Sequence, residues 1–499
     1  MAGNLRISGL ASGMDIDQIV KDLMRAERMP LDKLYQKKQL LEWQRDDYRA
    51  MNTLLQGLDD YLFSNITLQS SMLKKTISSS NEAVVTATAS ASAANVATTI
   101  QVDQVATSAV WLSDEGVDKE SFSVDADTTL TIKVTNGDGS TNTVEITVKQ
   151  GTTLDGLIAQ LNSNANLGVS AFYDEQTGRI SIMKKETGAQ ASLVLDDEET
   201  ANFFAEKLGF TGAAAEQELT GKTEGQDAQV TINGLKSSRS SNTFTINGAT
   251  YTVKGTGTAT VSVETDVDAM VNVIKGFVDK YNEVIAKINA ELKEERYRSY
   301  PPLTDEQKEA MTEKQIELWE EKARSGMLRG DSILSSALSQ MRMDLYTKVE
   351  GANIPSGLSQ LAQLGITTSS NYLDGGKLII DETKLREKIK ENPEAVYQLF
   401  NQNGTTDAEK GIARRLRDTI KETIGKIEQK AGKALWTNQQ FAIGRELIQI
   451  NNQMDRFEDR LKLIEDRYYR QFMAMEEAIQ RANQQSMYLM NAFFGGMQG

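Results

Sequence analysis

The chain has 499 residues, with 70 Asp and Glu against 55 Lys and Arg, and neither cysteine nor histidine. At roughly 150 residues per domain, that length allows about three domains, and the formal charge of -15 disfavours nucleic acid or an anionic membrane surface as a partner, since both demand a basic face. Disulfides, thiolate and imidazole metal sites, and the commonest acid–base and nucleophile arrangements are excluded, so no cofactor is expected and catalysis starts as the weaker hypothesis.

At the start, Asp15, Asp17, Lys21 and Asp22 break up the apolar residues, so no cleaved secretion signal is legible. No run approaches the ~20 apolar residues of a membrane span. Asp15 or Asp17 can cap a helix whose stripe begins Ile16, Ile19, Val20, Leu23, Met24. Pro30 is expected to interrupt it or to open the next helix. Beyond it Leu34, Leu41, Tyr48, Leu55 and Leu62 recur every seven residues, with Met51, Leu58 and Ile66 in part of the second seam position. Lys37 and Gln44 leave that seam incomplete. The spacing predicts coiled-coil helices over residues 1–72.

Between residues 76 and 266 the composition shifts to Thr, Ser, Ala, Val and Gly without proline. Leu130, Ile132 and Val134 alternate toward Val144, Ile146 and Val148 across Asn136-Gly137-Asp138-Gly139. Val169, Ala171 and Tyr173 lead to Ile180 and Ile182, and Phe244 and Ile246 turn through Asn247-Gly248 to Tyr251 and Val253. Thr153 caps a short helix reaching Asn162. The order β-β-α-β-β predicts an α+β domain over 113–224, inserted into a β-rich domain of 83–112 and 225–266.

Helical period returns at Met270, Val273, Ile274, Phe277, Val278, Tyr281, Ile285 and Ile288. Residues 73–82 and 267–432 are assigned to one helical domain, with 301–324 as an exposed excursion. A final helix over 433–499 carries Leu447, Ile450, Met454, Phe457, Leu461, Ile464 and Tyr468 at alternating three-and-four spacing; Trp436 and Ile443 fit the frame before them, and Phe472, Met475, Ile479 and Ala482 follow after a shift of one. The fold class read from this is α+β multidomain. The two terminal stripes are best satisfied by pairing along one rod, or by neighbouring subunits, so these seam residues are also the candidate oligomer interface.

Other motifs are weaker. Arg329-Gly330-Asp331 has the integrin-type tripeptide, but reads as a glycine turn with Asp331 or Ser332 capping a helix. Asn136 to Gly139 lacks the rest of a calcium loop, and Gly255-Thr256-Gly257 lacks a third glycine. Asp196-Asp197-Glu198-Glu199 reads as a solvated acidic turn.

Ile7-Ser8-Gly9-Leu10-Ala11-Ser12-Gly13-Met14-Asp15 resembles the opening of the flagellar filament cap family, also called hook-associated protein 2. Leu23 to Glu27 with Pro30-Leu31, Phe277 to Asn282, Arg329 to Ser332, Leu364 to Thr367, Gly376-Lys377-Leu378 with Asp381, and Arg460 to Ser486 are similar to the same family, in its order. The resemblance implies a non-catalytic protein exported through the flagellar type III apparatus without a cleaved signal, held beforehand by an export chaperone. It would form a homo-oligomeric ring at the filament tip, fold and insert flagellin, and serve motility, with no nucleic acid or membrane insertion involved. A filament or junction subunit, or a surface adhesin acting in cell adhesion, is the alternative.

Overall fold

The structure, a computed structural model, describes residues 13–351 and 354–494. It is an α+β chain in two compact units: residues up to Leu68 with those from Val271 onward, and Gln69–Met270.

Helix α1 (Ile16–Tyr61) begins the first unit, and Asp15 caps it by accepting the Gln18 N–H at 2.9 Å. Pro30 lies inside it, and the expected interruption does not occur. The ring removes one N–H, leaving the Ala26 carbonyl without its usual donor. Leu31, 2% exposed, packs against the C-terminal helix and helps to hold the chain helical across that gap.

The second unit starts with α2 (Gln69–Met72) and β1 (Lys75–Ser79). It continues through β2 (Val85–Ala89), β3 (Val96–Gln104), β4 (Val110–Leu112), β5 (Thr128–Thr135), β6 (Thr141–Val148), α3 (Leu154–Ser163), β7 (Val169–Asp174) and β8 (Arg179–Lys184). Then come β9 (Ser192–Leu195), α4 (Glu198–Glu206), β10 (Gln217–Glu218), β11 (Lys222–Thr223), β12 (Ala228–Ile232), β13 (Leu235–Arg239), β14 (Thr243–Ile246), β15 (Ala249–Val253) and β16 (Gly257–Thr265).

One core lies between the sheets β1-β16-β3-β12-β13 and β14-β15-β2, filled by Val85, Ile100, Val230, Tyr251 and Val261. A second core, with Trp111, Leu130, Leu157, Ile182 and Phe204, is enclosed by β10-β9-β5-β6, β11-β4-β8-β7 and the helices α3 and α4. Every strand pair is antiparallel, and the alternation read from the sequence sets the register: Leu130 faces Ile146 and Ile132 faces Val144. Asn247 and Gly248 both take positive φ, the mirror-image turn that matches strand twist. Two assignments change. Residues 75–79 pair with β16 and belong to a sheet rather than to the helical region, because Ile77 needs the strand partner Val263. The core around Trp111 begins at Ala109, four residues before the expected start of the insertion.

The chain returns through α5 (Val267–Lys293), α6 (Asp305–Glu309), α7 (Glu313–Arg324), α8 (Ser332–Tyr346), β17 (Ile366–Thr368), β18 (Leu378–Ile380), α9 (Glu382–Glu391), α10 (Pro393–Asn401), α11 (Ile412–Ala431) and α12 (Ala442–Phe494). The 301–324 excursion is ordered by two capping boxes, Thr304 with Gln307 and Thr312 with Gln315. Trp436 falls in the turn before α12 and is no part of the seam helix. Phe441 closes that turn, and Gly432 is required there: a Cβ would lie 2.4 Å from the Phe441 ring.

Candidate assembly interface

Helices α1 and α12 run antiparallel, which three tyrosine hydroxyls fix by donating across the pair: Tyr35 to Glu458 at 2.8 Å, Tyr468 to Glu27 at 3.0 Å and Tyr469 to Asp17 at 3.1 Å. The bond to the Glu458 carboxylate, with burial second, pushes the Tyr35 phenol up. Along the pair Leu31, Ile450, Met454 and Leu461 are buried, with Met24, Leu34, Leu41 and Phe457 packed around them. Leu447 is also buried, and Ile464 and Tyr468 are half-buried farther along. Leu31 and Met24 were detectable by their own seven-residue spacing, which Pro30 obscures.

The other half of the predicted N-terminal seam goes elsewhere. Tyr48, Leu55 and Leu62 are fully enclosed, and α1 here lies against α11 rather than α12. Asp59 on α1 receives two bonds from Arg417 on α11, at 2.7 and 3.2 Å, while that guanidinium stands 4.8 Å over Phe63. The Tyr48 hydroxyl donates to Asp331, and burial, reinforced by that carboxylate, pushes its phenol up. Nearby, Asp344 accepts from Thr419 at 2.6 Å and from Gln340 at 3.0 Å, and burial raises its carboxyl. Buried Arg415 donates to the Thr347 and Asp407 carbonyls. These charged groups are joints between helices.

Past Tyr469, α12 continues beyond the start of α1 at Ile16. Phe472, Met475 and Ile479 are half-buried, and every side chain from Gln480 to Asn491 is exposed, Ala482 among them. Met487, Tyr488, Leu489 and Met490 are 57–78% exposed, a run of apolar side chains at the surface.

Three residues that carry the family resemblance, Asn282, Asp331 and Asp381, are joints as well. The Asn282 side chain donates to the Leu378 carbonyl at 2.9 Å and accepts the Leu378 N–H at 2.8 Å, as a neighbouring strand would. Asp381 caps α9, and Asp331 caps α8 through Leu334 N–H at 3.0 Å. With its other oxygen on Tyr48, the Asp331 carboxylate is engaged on both sides, which leaves the Arg-Gly-Asp tripeptide no free acid. Ile7 to Ser12 lie outside the described residues. Asn136 to Gly139 form the turn joining β5 and β6, and Asp197 caps α4 rather than sitting in a loose acidic turn. Gly255 lies between β15 and β16, and Gly257 opens β16. Among the described residues no cluster of metal-ligating side chains occurs, and no helix is long and apolar enough to cross a membrane.

Three family descriptions match the chain: flagellar hook-associated protein 2 N-terminus over residues 12–109, flagellin hook IN motif over 129–186, and flagellar hook-associated protein 2 C-terminus over 225–484. A flagellar hook-associated protein 2 from Halalkalibacterium halodurans is 35% identical over 98% of this chain and 100% of its own length. An A-type flagellar hook-associated protein 2 from Pseudomonas aeruginosa is 26% identical over 97% and 96%. The crystal structure of the flagellar cap protein FliD D1-D2-D3 domains from Escherichia coli aligns with a TM-score of 0.56, covering 78% of this chain and 96% of that one. At 21% identity that likeness is one of fold.

Proposed function

This chain belongs to the flagellar hook-associated protein 2 family, and from that premise we infer that it caps the distal end of a bacterial flagellar filament as a structural, non-catalytic protein. Its place is extracellular, at the filament tip, reached through the flagellar type III apparatus without a cleaved signal and after release from an export chaperone. Copies of the chain form a ring there, promote the folding and insertion of flagellin, prevent its loss, and so sustain elongation and motility.

The observation that carries the reading is the α1–α12 pair. A single pair buries only a narrow seam, and the last part of α12 keeps its apolar side chains in water. Neighbouring copies or filament subunits supply the missing cover. The seam residues Leu34, Leu41, Leu447, Ile450, Met454, Phe457, Leu461, Ile464 and Tyr468 then build the rod that presents this surface. Tyr48, Leu55 and Leu62 secure its base. Many modest contacts suit a cap that must let go each time a subunit is added beneath it.

The test is made in cells. Replacing Leu31, Met454 and Leu461 together with Asp places three charges in an apolar seam. Filaments should become short or absent and flagellin should accumulate in the medium, with its export undiminished. Full-length filaments and normal swimming would refute the assignment. Mass measurement of the purified assembly gives the subunit number.

A further inference from the structure

Helix α1 has a second covered face. Residues 297–324, the excursion carrying α6 and α7, leave and rejoin the body through a closed neck. Arg296 donates to the Ala323 and Ser325 carbonyls at 2.7 and 2.8 Å, Ser325 to the Glu295 carbonyl at 2.6 Å, and the Gly326 N–H to Glu294 at 2.6 Å. Inside the excursion Trp319 packs tilted against Tyr300, ring centroids 4.7 Å apart, and donates to the Pro301 carbonyl at 2.7 Å. This is a folded arm, ordered by its caps and by the Trp319–Tyr300 contact rather than by a buried core.

The arm and the residue just beyond its neck are fastened to α1 at intervals: Arg324 to Asp47 at 3.0 Å, Gln44 to the Met327 carbonyl at 3.4 Å, Gln36 to the Pro302 carbonyl at 3.0 Å, and Arg25 to Glu306 at 2.7 Å. At 100° per residue, positions 25, 36, 44 and 47 fall on one side of the helix, away from the side of Met24, Leu31, Leu34 and Leu41 that meets α12. The last two fastenings stand on either side of Pro30, the point where α1 lacks a backbone bond.

We propose that residues 297–324 are a splint for α1, holding it straight across the proline joint so that the rod behaves as one rigid element back to the helical body. Each fastening is weak by itself, and the Arg25–Glu306 pair is an exposed one. Their effect comes from spanning the joint. Without the splint, α1 opens locally around Pro30 while α12 and the body keep their structure.

Amide hydrogen exchange on the full chain tests this. Replacing residues 299–322 with three glycines leaves the neck intact; exchange at residues 26–34 should rise about ten-fold, with little change in the second unit. Adding Pro30→Ala to that variant restores the missing N–H and should return the protection. Should the shortened chain fail to fold, the pair Gln36→Ala and Glu306→Ala releases the two bracketing fastenings alone and should raise exchange over the same residues. Unchanged exchange in the variant that folds, or increased exchange that Pro30→Ala does not reverse, overturns the proposal.

Discussion

The two halves of α1 carry similar seven-residue apolar spacing and meet different surroundings. From Met24 to Leu41 the stripe faces one helix, and Leu34 and Leu41 remain half-buried. From Tyr48 to Leu62 the stripe is enclosed on all sides, with Leu55 and Leu62 at 0% exposure. Spacing alone therefore specifies a helix with an apolar face, while the number of neighbours decides whether that face is a seam or a core. The difference is one of energy, and the same substitution made in each half measures it.

The largest expected effect is Leu55→Ala. Its side chain is wholly buried, so transfer and cavity terms together should cost about 4 kcal/mol, seen as loss of global stability in denaturant unfolding of the first unit. Next is Asp59→Ala, which strands the Arg417 guanidinium in a partly buried site and should cost about 3 kcal/mol; Asp59→Asn should cost less, since an amide oxygen still accepts. Leu34→Ala in the rod half should cost only about 1 kcal/mol, and its signature should be faster local exchange rather than a shifted global midpoint. Equal costs for Leu34→Ala and Leu55→Ala would show that both halves belong to one core.

The smallest effect concerns pH where the two halves meet. Burial, with Asp47 and Glu294 adding repulsion and Arg324 opposing them, pushes the Glu291 carboxyl up. Its folded-state pKa then lies above the unfolded one, so the ionised form opposes folding at neutral pH and that penalty fades as pH falls through the raised value. Glu291→Gln should stabilise the chain by roughly 0.3 kcal/mol at pH 7, allowing for solvent screening. The gain should vanish near pH 4. A gain that grows on acidification would reverse the sign.

Much of this architecture is legible from residue spacing: both long terminal helices and the three hairpins. What escaped has physical causes. Helix α11 buries Ile412, Leu416, Ile420 and Ile427, but also Arg415, Thr419 and Thr423, so polar residues on its inner face dilute the period. Helix α4 hid behind the acidic run Asp196 to Glu199, whose real work is to cap a helix that buries Phe203 and Phe204. Gln44 looked like a flaw in a heptad and proves to serve a different face of the helix. Leu31 was masked by the proline before it. In each case the missing information was which partner a residue would meet, and a one-dimensional period does not carry it.

The unbroken course of α1 also has a mechanical consequence. From Ile16 to Tyr48 the helix spans about 48 Å at 1.5 Å per residue. Tyr48 and its hydroxyl bond to Asp331 then stand at the fulcrum of a long lever. A tilt of about 5° at that point carries Ile16 through about 4 Å, close to the spacing of successive residues along a chain. A sub-ångström repacking around Tyr48 is thereby geared up into a step of molecular size at the far end.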